Sequence, residues 1–418
     1  MKVFKFGGAS INSLERIKNV GEILKNYQNE PVMVVMSAMG KTTNALEKVA
    51  EAFYEGRKDD AINLFHLLKE NYLLTAKYLL VTSYNQTYET LNSFFTEVEW
   101  LLHDKPVKSF DYYYDQVVCV GELLSSCIIS AYLNEKGIAN EWLDVRDIIR
   151  TDDNFREANI CWDITRENIE RAGILNKPTI FITQGFIGST DQNESTTLGR
   201  EGSDFTAAIF ANLLDAHNLT IWKDVEGVMS ADPKLFPSAS LISEMSFTEV
   251  VEMAFYGAQV IHPKTIKPLQ NKEITLQVKS FLDPTLPGTT ISSKASKNLP
   301  PVIVVKNNQV LVHLQSQDFS FVGEKPMSRL YELFSELNIK PNLIQTAAIN
   351  LQFCIDDREE KIQQLALMAS EIFDVQLQKG LTLLTIRHYN EQLLSAMLQG
   401  KDVVLLQKTK ETVQTLYY

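Results

Sequence analysis

The chain has 418 residues, more than one hydrophobic core usually serves, which predicts two or three domains. Its 52 acidic residues outnumber its 40 Lys and Arg, and the net charge of −12 argues against a broad nucleic-acid surface, though not against a small basic pocket. Four cysteines without CxxC spacing are typical of reduced core thiols rather than of disulfides or a zinc site. With no signal-peptide pattern and no apolar run that approaches bilayer length, we expect a cytoplasmic protein with no membrane or nucleic-acid partner.

The N-terminal part alternates strands and helices. "MKVFKF" predicts a strand, and the Gly-Gly step after it opens an amphipathic helix over residues 11–28. The continuous apolar run over residues 31–38 is typical of a parallel strand covered on both faces. Strand, glycine loop, helix and strand in this order predict an α/β fold. Residues 43–103 predict a helical insertion, and residues 115–137 predict one buried helix that ends at glycine.

A change of pattern follows the last predicted strand of this alternation. A segment rich in Pro, Ser, Gly and Lys marks a boundary near residues 293–301. Beyond it, short strands alternate with two longer helices, which predicts a ferredoxin-like α+β module with too little chain left for a second complete one. We place a first domain over residues 1–293, with the helical insertion at about 44–110, and a second over 302–418. Before the boundary, further strands are predicted over residues 140–145, 179–190, 219–225 and 274–281.

The motif "KFGGAS" is the first of three glycine-bearing motifs. A strand that ends at Gly7 and Gly8 and opens a helix presents backbone N–H groups and a helix N-terminus to an anion, and Lys5 can reach the same anion. The alternative is a plain strand–helix turn with a lysine whose stem crosses apolar surface. This motif alone leaves both interpretations open.

Two later motifs favour the anion site. In "TTLGREGSDFTAA", Arg200 is suited to bidentate capture of a carboxylate or phosphate, whereas Asp204 by itself would be an ordinary helix cap. In "WKDVEG", Lys223 and Asp224 close a strand where ligands bind in open α/β sheets, although this motif taken alone favours an ordinary polar loop. Together these loops fit phosphoryl transfer, which works by positioning and charge neutralisation. His262, before a proline, is interpreted as a helix-entry residue.

The motifs, in their order along the chain, resemble those of aspartate kinases, which have the amino-acid kinase fold. The resemblance covers about residues 1–291 and includes "VVMSAMGKTTN", "VGELLSS", "TQGFIGST", "YGAQVIHPKTI" and "DPTLPGTTI". One motif alone would not separate aspartate kinases from carbamate, glutamate or uridylate kinases. The resemblance implies an αβα sandwich with a largely parallel central sheet. The tail resembles the family's ferredoxin-like ACT regulatory region, with one full and one abbreviated module.

The resemblance also implies a reaction. ATP would phosphorylate the side-chain carboxylate of L-aspartate to 4-phospho-L-aspartate, the first step toward lysine, threonine and methionine. Mg²⁺ would be held by the nucleotide and water, with no direct side-chain ligand. The attacking oxygen is an anion near neutral pH, so no general base is required. A homodimer or larger assembly through the ACT regions and an amino-acid effector are the expected partners.

The same resemblance assigns roles by motif position. Lys5 would stabilise charge on the transferring phosphoryl group, and Asp204 would orient Lys5 and the substrate. Glu122 would receive the α-ammonium, which a glutamate inside an apolar helix needs as a cationic partner, and Arg200 would hold the α-carboxylate. Further expected substrate contacts are Ser37, Thr43 and Ser203; the expected nucleotide contacts are Lys5, Gly7, Gly8, Ser10, Lys223, Asp224, Asp232, Lys234 and Gln259.

Several residues depart from the family's commoner pattern. Ala9 stands where threonine or serine is usual, and Cys119 where serine is common. Glu201 replaces a small residue and adds negative charge near the phosphates. Gln259 stands where many members place a nucleotide-contacting lysine, for which Lys264 is the candidate substitute. These changes motivate an alternative from another class, a non-catalytic amino-acid sensor on a kinase scaffold. A different amino-acid kinase is the alternative among enzymes.

The tail departs from lysine-inhibited relatives, whose turn after the first ACT helix carries an aspartate and then Thr-Ser-Glu. Here Asn342, Thr346, Ala347 and Ala348 occupy this stretch, so an effector's ammonium would lose carboxylate partners. Asn342 and Thr346 are the candidate effector contacts that are left, and lysine inhibition as in those relatives is not expected. Threonine control, another effector and a purely dimerising tail stay open.

Overall fold

A computed structural model describes residues 1–177, 179–258, 261–294, 299–318 and 320–418. The chain forms two compact units, each built from several chain segments. The first unit comprises Met1–Val228, Leu241–Val251 and Val260–Lys297, and the second comprises Met229–Ser240, Glu252–Gln259 and Asn298–Tyr418.

The first unit is built on a mostly parallel sheet. Its strands are β1 (Lys2–Phe6), β2 (Val32–Met36), β3 (Asn140–Trp142), β4 (Ile180–Gln184), β5 (Ile187–Ser189), β6 (Ser195–Thr197), β7 (Asn218–Lys223), β8 (Glu244–Ser246), β9 (Thr275–Ser280) and β10 (Thr289–Ser292). Eight described strands pair in the order β3-β4-β2-β1-β7-β9-β10-β8, and β5 pairs with β6. Within this sheet only β9 and β10 pair antiparallel. All five residues of β2 are buried, as expected of a central strand covered on both faces.

Helices flank this sheet and fill the predicted insertion. They are α1 (Leu14–Lys25), α2 (Thr42–Tyr54), α3 (Lys58–Leu79), α4 (Tyr84–His103), α5 (Phe110–Val118), α6 (Val120–Glu135), α7 (Trp162–Arg171), α8 (Gly202–Leu213), α9 (Phe247–Tyr256) and α10 (Pro263–Asn271). The part of α9 from Glu252 onward is assigned to the second unit. The predicted fold class, an αβα sandwich with a largely parallel sheet, is confirmed.

The segment Phe110–Glu135 corrects two sequence predictions. The single helix predicted over residues 115–137 is two helices, α5 and α6, which meet at Cys119. The segment is also long and apolar enough to cross a membrane by length and composition, so the expectation of no such run is wrong. Its most apolar window is 83% buried inside the protein, which is the burial of a core helix.

The second unit contains a six-stranded antiparallel sheet. Its elements are β11 (Val302–Ser316), α11 (Glu324–Glu336), β12 (Leu343–Thr346), β13 (Asn350–Asp356), α12 (Glu359–Ala369), β14 (Phe373–Arg387), α13 (Glu391–Leu398), β15 (Val403–Lys408) and β16 (Thr412–Tyr417). The order β12-β13-β11-β14-β16-β15 contains the ferredoxin-like arrangement in its first four strands. The predicted ferredoxin-like α+β region is therefore confirmed as fold.

Two loops that follow neighbouring strands lie backbone against backbone. A Cβ atom on Gly8, just after β1, would lie 2.7 Å from the carbonyl oxygen of Ala38 and 2.9 Å from that of Gly40. The backbone N–H of Gly40 donates to the carbonyl of Gly8 at 3.1 Å. Only glycine permits this approach, because the opposing atoms belong to backbone that follows β2.

This contact predicts that Gly8→Ala lowers the free energy of unfolding by roughly 1–3 kcal/mol, since the new methyl group must displace backbone. Gly7→Ala is the matched control, because a Cβ there meets only the flexible end of Lys5, whose Nζ lies 3.3 Å away. Denaturant unfolding of both variants measures the difference. Equal losses in the two variants would contradict the assignment of the contact to Gly8.

Candidate active site

A buried ion pair joins β1 to the first turn of α8. Lys5 Nζ lies 2.7 Å from Asp204 Oδ1, and the two side chains are 12% and 5% exposed. Burial by itself would raise the pKa of Asp204, but the positive charges of Lys5 and Lys223 outweigh it and lower that pKa. Asp204 therefore stays ionised and holds the Lys5 ammonium in place at the carboxyl end of the sheet.

A second buried carboxylate forms no ion pair with any of the residues that the structure describes. Glu122, near the start of α6, is 3% exposed, and its Oε1 accepts a long hydrogen bond of 3.4 Å from the backbone N–H of Ala38. Its Oε2 has no hydrogen-bond partner among the described residues. Burial raises the pKa of Glu122 to about 8. A buried carboxylate in this state is stabilised by any cationic group that reaches it.

The segment over residues 37–43, which runs from the end of β2 into the first turn of α2 and is called the loop over residues 37–43 below, connects these two features. Ser37 and Thr43 are both half-buried, and the carbonyl of Ser37 accepts a hydrogen bond of 2.7 Å from Ser125 Oγ. Ala38 donates its N–H to Glu122, while its carbonyl lies against Gly8. One residue of this loop thus contacts both the buried carboxylate and the glycine turn beside Lys5.

Arg200 lies in the loop before α8, and Ser203 lies in the first turn of α8. Arg200 is exposed, and no side chain pairs with it in the part of the chain that the structure describes. Ser203 is 9% exposed and packs against the end of β4, where a Cβ on Gly185 would lie 2.5 Å from the Ser203 Cβ. The absence of a side chain at Gly185 lets the N-terminus of α8 approach the sheet.

Glu201 anchors this loop. Its backbone is left-handed, with φ of +54°, and its Oε2 accepts a hydrogen bond of 2.9 Å from the backbone N–H of His262. His262 is the N-cap of α10, so its interpretation as a helix-entry residue is confirmed. The Glu201 carboxylate, expected from sequence as added charge near phosphates, thus lies at a helix N-terminus, where negative charge is favourable.

Lys264 strengthens the same attachment. Its Nζ donates to the carbonyl of Leu198 at 3.0 Å and lies 4.9 Å from the centre of the Phe205 ring. The ammonium suggested from sequence as a substitute at the nucleotide site is therefore bound to the loop before α8. Gln259, the position it was to replace, lies outside the described residues.

The other expected nucleotide contacts fall into two groups. Ser10 is 1% exposed, and its hydroxyl donates to the carbonyl of Trp222 at 3.3 Å, which ties the turn after β1 to β7. Lys223 ends β7, and exposed Asp224 follows it. Asp232 and Lys234 belong to the second unit, where Asp232 Oδ1 accepts from the Lys234 N–H at 2.9 Å.

The candidate effector residues lie in the second unit. The amide oxygen of Asn342 accepts from Lys306 Nζ at 2.7 Å, and its amide nitrogen donates to Gln309 Oε1 at 2.7 Å and to Asp356 Oδ1 at 2.9 Å. Thr346 is exposed at the end of β12. The Asn342 side chain is therefore engaged on both of its polar atoms by its own unit.

Two residues near the site were not singled out from sequence. Ser125 lies in the motif "VGELLSS", but nothing in the sequence indicates that this serine of an apolar helix contacts Ser37. Tyr72 lies on the insertion helix α3, and its hydroxyl reaches Thr42 at 3.0 Å. Its helical spacing is that of any core aromatic residue, so no sequence signal distinguishes it.

Comparison with known proteins places the chain. The family described as "Amino acid kinase family" matches residues 1–280. The chain belongs to the amino acid kinase family. Within the family it is 30% identical over 382 residues to Aspartokinase 1, chloroplastic, of Arabidopsis thaliana, covering 87% of this chain and 65% of that relative. It therefore spans less than two thirds of that relative's length.

Two further similarities involve Escherichia coli. The chain is 29% identical to Lysine-sensitive aspartokinase 3, over 96% of this chain and 89% of that protein. It is 25% identical to a crystal structure of E. coli aspartokinase III in complex with aspartate and ADP, with a TM-score of 0.80 and coverage of 100% and 96%. The resemblance to aspartate kinases inferred from the motifs is confirmed.

Glu122 generates a pH-dependent prediction. Because burial raises its pKa from 4.5 to about 8, the folded chain holds a proton that the unfolded chain releases between these pH values. Stability attributable to Glu122 therefore falls as pH rises through this window. We expect Glu122→Gln to have a higher free energy of unfolding than the unmutated chain above pH 8, by up to about 5 kcal/mol at about 1.4 kcal/mol per pKa unit, and therefore a higher unfolding temperature, with the gain vanishing near pH 4.5.

Thermal unfolding from pH 4.5 to 9 measures this gain. Glu22→Gln is the control, since the Glu22 side chain is 74% exposed and its replacement should leave the pH profile unchanged. A Glu122→Gln gain that does not grow with pH would show that Glu122 is paired in solution.

Proposed function

We propose that this chain is an aspartate kinase that transfers the γ-phosphoryl group of ATP to the side-chain carboxylate of L-aspartate. The product is 4-phospho-L-aspartate, the first intermediate toward lysine, threonine and methionine. The observation that carries the proposal is the placement of Ala38, which contacts both the cation-seeking Glu122 and the glycine turn beside Lys5. A site for an amino acid's ammonium therefore lies next to a site for phosphate. The aspartate and ADP bound to E. coli aspartokinase III support the same substrates.

The acceptor amino acid is held through the two charged groups on its α-carbon, the ammonium and the carboxylate. Glu122 receives the α-ammonium and in doing so gains the cation that its buried Oε2 lacks. Arg200, exposed and unpaired among the described residues, holds the α-carboxylate through its guanidinium fork. Ser37, Thr43 and Ser203 supply the remaining polar contacts, and the side-chain carboxylate is left to react.

The phosphoryl group is held by the first strand and its turn. Gly7 and Gly8 present backbone N–H groups to the ATP phosphates, and Lys5 neutralises the charge that spreads over the transferring group. Asp204 keeps the Lys5 ammonium at that position. The attacking carboxylate is already ionised near neutral pH, so no residue has to remove a proton.

The remaining contacts of the nucleotide-binding site are predictions. Ser10, Lys223 and Asp224 lie at the ends of β1 and β7, and Asp232, Lys234 and Gln259 are expected to contribute by motif position. ATP enters as its Mg²⁺ complex, with the ion held by phosphates and water. Among the described residues, no group of three or more His, Cys, Asp or Glu is placed to hold a metal ion.

The proposal extends to organisation. Residues 1–293 form the catalytic domain and residues 302–418 an ACT-type regulatory region with one full and one abbreviated module. We propose a soluble, cytoplasmic enzyme that forms a homodimer or larger assembly through that region. Its antiparallel sheet, with β12 and β15 at the edges, offers strand edges for such pairing.

Hydroxylamine trapping tests the reaction. With ATP, Mg²⁺ and L-aspartate, the acyl phosphate yields a hydroxamate, and L-glutamate serves as the competing substrate. We expect Lys5→Ala to lower kcat by about 10²–10³-fold, because it removes a charge that acts on the transition state. Arg200→Ala should instead raise the KM for aspartate by at least about tenfold through loss of a charged contact.

The controls separate the alternatives. Lys177→Ala, at an exposed lysine paired with Glu141, should leave both constants unchanged. Calorimetry with ATP distinguishes an enzyme from a sensor that keeps the kinase fold only as a scaffold, since that sensor would not bind ATP. If glutamate yields hydroxamate and aspartate does not, the proposed substrate is wrong. If Lys5→Ala keeps full turnover, the proposed catalytic site is wrong.

The contacts of Asn342 in the second unit lead us to expect that lysine does not inhibit the enzyme. Asn342 carries no negative charge, and both of its amide atoms are bound by Lys306, Gln309 and Asp356. An incoming ammonium would have to displace the Lys306 ammonium from Asn342, and the neighbouring Asp356 carboxylate already accepts hydrogen bonds from Asn342 and Gln309. We therefore expect the hydroxamate rate to stay within twofold when lysine is added. Threonine and methionine are assayed in parallel, and strong inhibition by lysine would contradict this account of Asn342.

A further inference from the structure

Tyr72 is a buried tyrosine of the helical insertion that no role in the reaction has yet used. It lies on α3, is 3% exposed, and its hydroxyl donates to Thr42 Oγ1 at 3.0 Å. Thr42 Oγ1 in turn donates to the carbonyl of Met39 at 2.6 Å. Two linked hydrogen bonds thus run from the insertion into the loop over residues 37–43.

The same hydroxyl also reaches the start of α6. The carbonyl of Gly121, the residue before Glu122, lies 3.4 Å from the Tyr72 hydroxyl. A Cβ on Gly121 would lie 2.9 Å from Thr42 Cγ2 and 3.2 Å from Ala38 Cβ, so the three segments are in close contact. Tyr72 therefore sits where α3, the loop and the start of α6 meet.

The phenol is suited to act as a permanent donor. Burial raises the pKa of Tyr72 and outweighs the opposing effect of the Thr42 hydrogen bond, so the hydroxyl keeps its proton over the physiological range. Thr42 is 9% exposed, and water competes little for its hydrogen bonds. The position of the loop consequently depends on this side chain rather than on solvent.

We infer that Tyr72 is a positioning residue for the amino-acid acceptor, acting through Thr42 on the loop that carries Ser37 and Thr43. Further hydrogen bonds to this loop come from α6 and from the turn after β1. Ser125 binds the Ser37 carbonyl, Glu122 binds the Ala38 N–H, and the Gly8 carbonyl accepts from the Gly40 N–H. Tyr72 supplies the support from the opposite end of the loop and makes the insertion part of the acceptor site. The inference rests on the proposed aspartate kinase activity for its kinetic consequence, but not for its structural one.

Tyr72→Phe is the test, because it keeps the ring in the core and removes only the hydroxyl. We expect the KM for aspartate to rise about fivefold, the size of one lost buried hydrogen bond, while kcat and the KM for ATP change less than twofold. Thr42→Val should raise the KM similarly, and Thr42→Ser, which keeps the hydroxyl, should restore it. The double variant Tyr72→Phe with Thr42→Val should be no worse than Thr42→Val alone, since both changes break one chain of bonds.

A second readout does not depend on the substrate. Hydrogen exchange of a peptide that spans residues 37–43 should be faster in Tyr72→Phe and unchanged in Tyr78→Phe, a tyrosine on the same helix that is 69% exposed. Unchanged exchange in Tyr72→Phe overturns the inference whatever the kinetics show. Faster exchange with an unaltered KM for aspartate also overturns it.

Failure of the proposed function has a different signature. An unmutated chain that produces no hydroxamate from aspartate refutes the aspartate kinase. Faster exchange in Tyr72→Phe would in that case still support the positioning role, and the KM comparison would move to the acid that is phosphorylated. An equal fall of kcat with every substrate would mark Tyr72 as a general packing residue and overturn the inference.

Discussion

The ion pair between Lys5 and Asp204 is the interaction on which the site depends. Two charges this deeply buried are tolerated only because each neutralises the other. The pair fixes α8 against β1, and α8 in turn sets the position of the loop that carries Arg200. Removing Lys5 would leave Lys223 as the remaining positive charge that acts on buried Asp204 in the described part of the chain. The Lys5–Asp204 ion pair thus serves both the proposed catalytic role of Lys5 and the packing of α8 on the sheet.

Glu122 shows the opposite state of a buried charge. It has a single long backbone hydrogen bond and no cation, and burial raises its pKa to about 8. Such a residue destabilises the empty protein and is stabilised when a cationic ligand arrives. Under the proposed function the two carboxylates have different roles: Asp204 holds the Lys5 ammonium in place, whereas Glu122 would bind a cationic ligand. Functional sites commonly carry such a loss of stability.

Residues that were singled out because of departures from the family pattern form hydrogen bonds with neighbouring segments of their own unit. Glu201 and Lys264 were expected to alter charge near the nucleotide, yet they bind His262 and Leu198 and attach the loop before α8 to the start of α10. A left-handed residue at position 201 would ordinarily be glycine, so the carboxylate's bond to His262 compensates for backbone that glycine adopts more easily. In the second unit, Asn342 and Lys306 likewise satisfy each other.

The sequence alone did not predict the short strands β6, β8 and β10 or the helix α7. It was sufficient for the fold class, for most of the longer strands and helices, and for the motifs that bring Lys5, Glu122, Arg200 and Asp204 into one family pattern. Those features are periodic or local, so neighbouring residues report them directly. The sequence did not reveal that the helix predicted over residues 115–137 is divided at Cys119, because the apolar pattern continues through that position. It also did not reveal the contact between Gly8 and Ala38. It also gave no hint of Tyr72, because its partner Thr42 is thirty residues away. Contacts between distant segments depend on how helices pack on the sheet, and only the tertiary structure decided them.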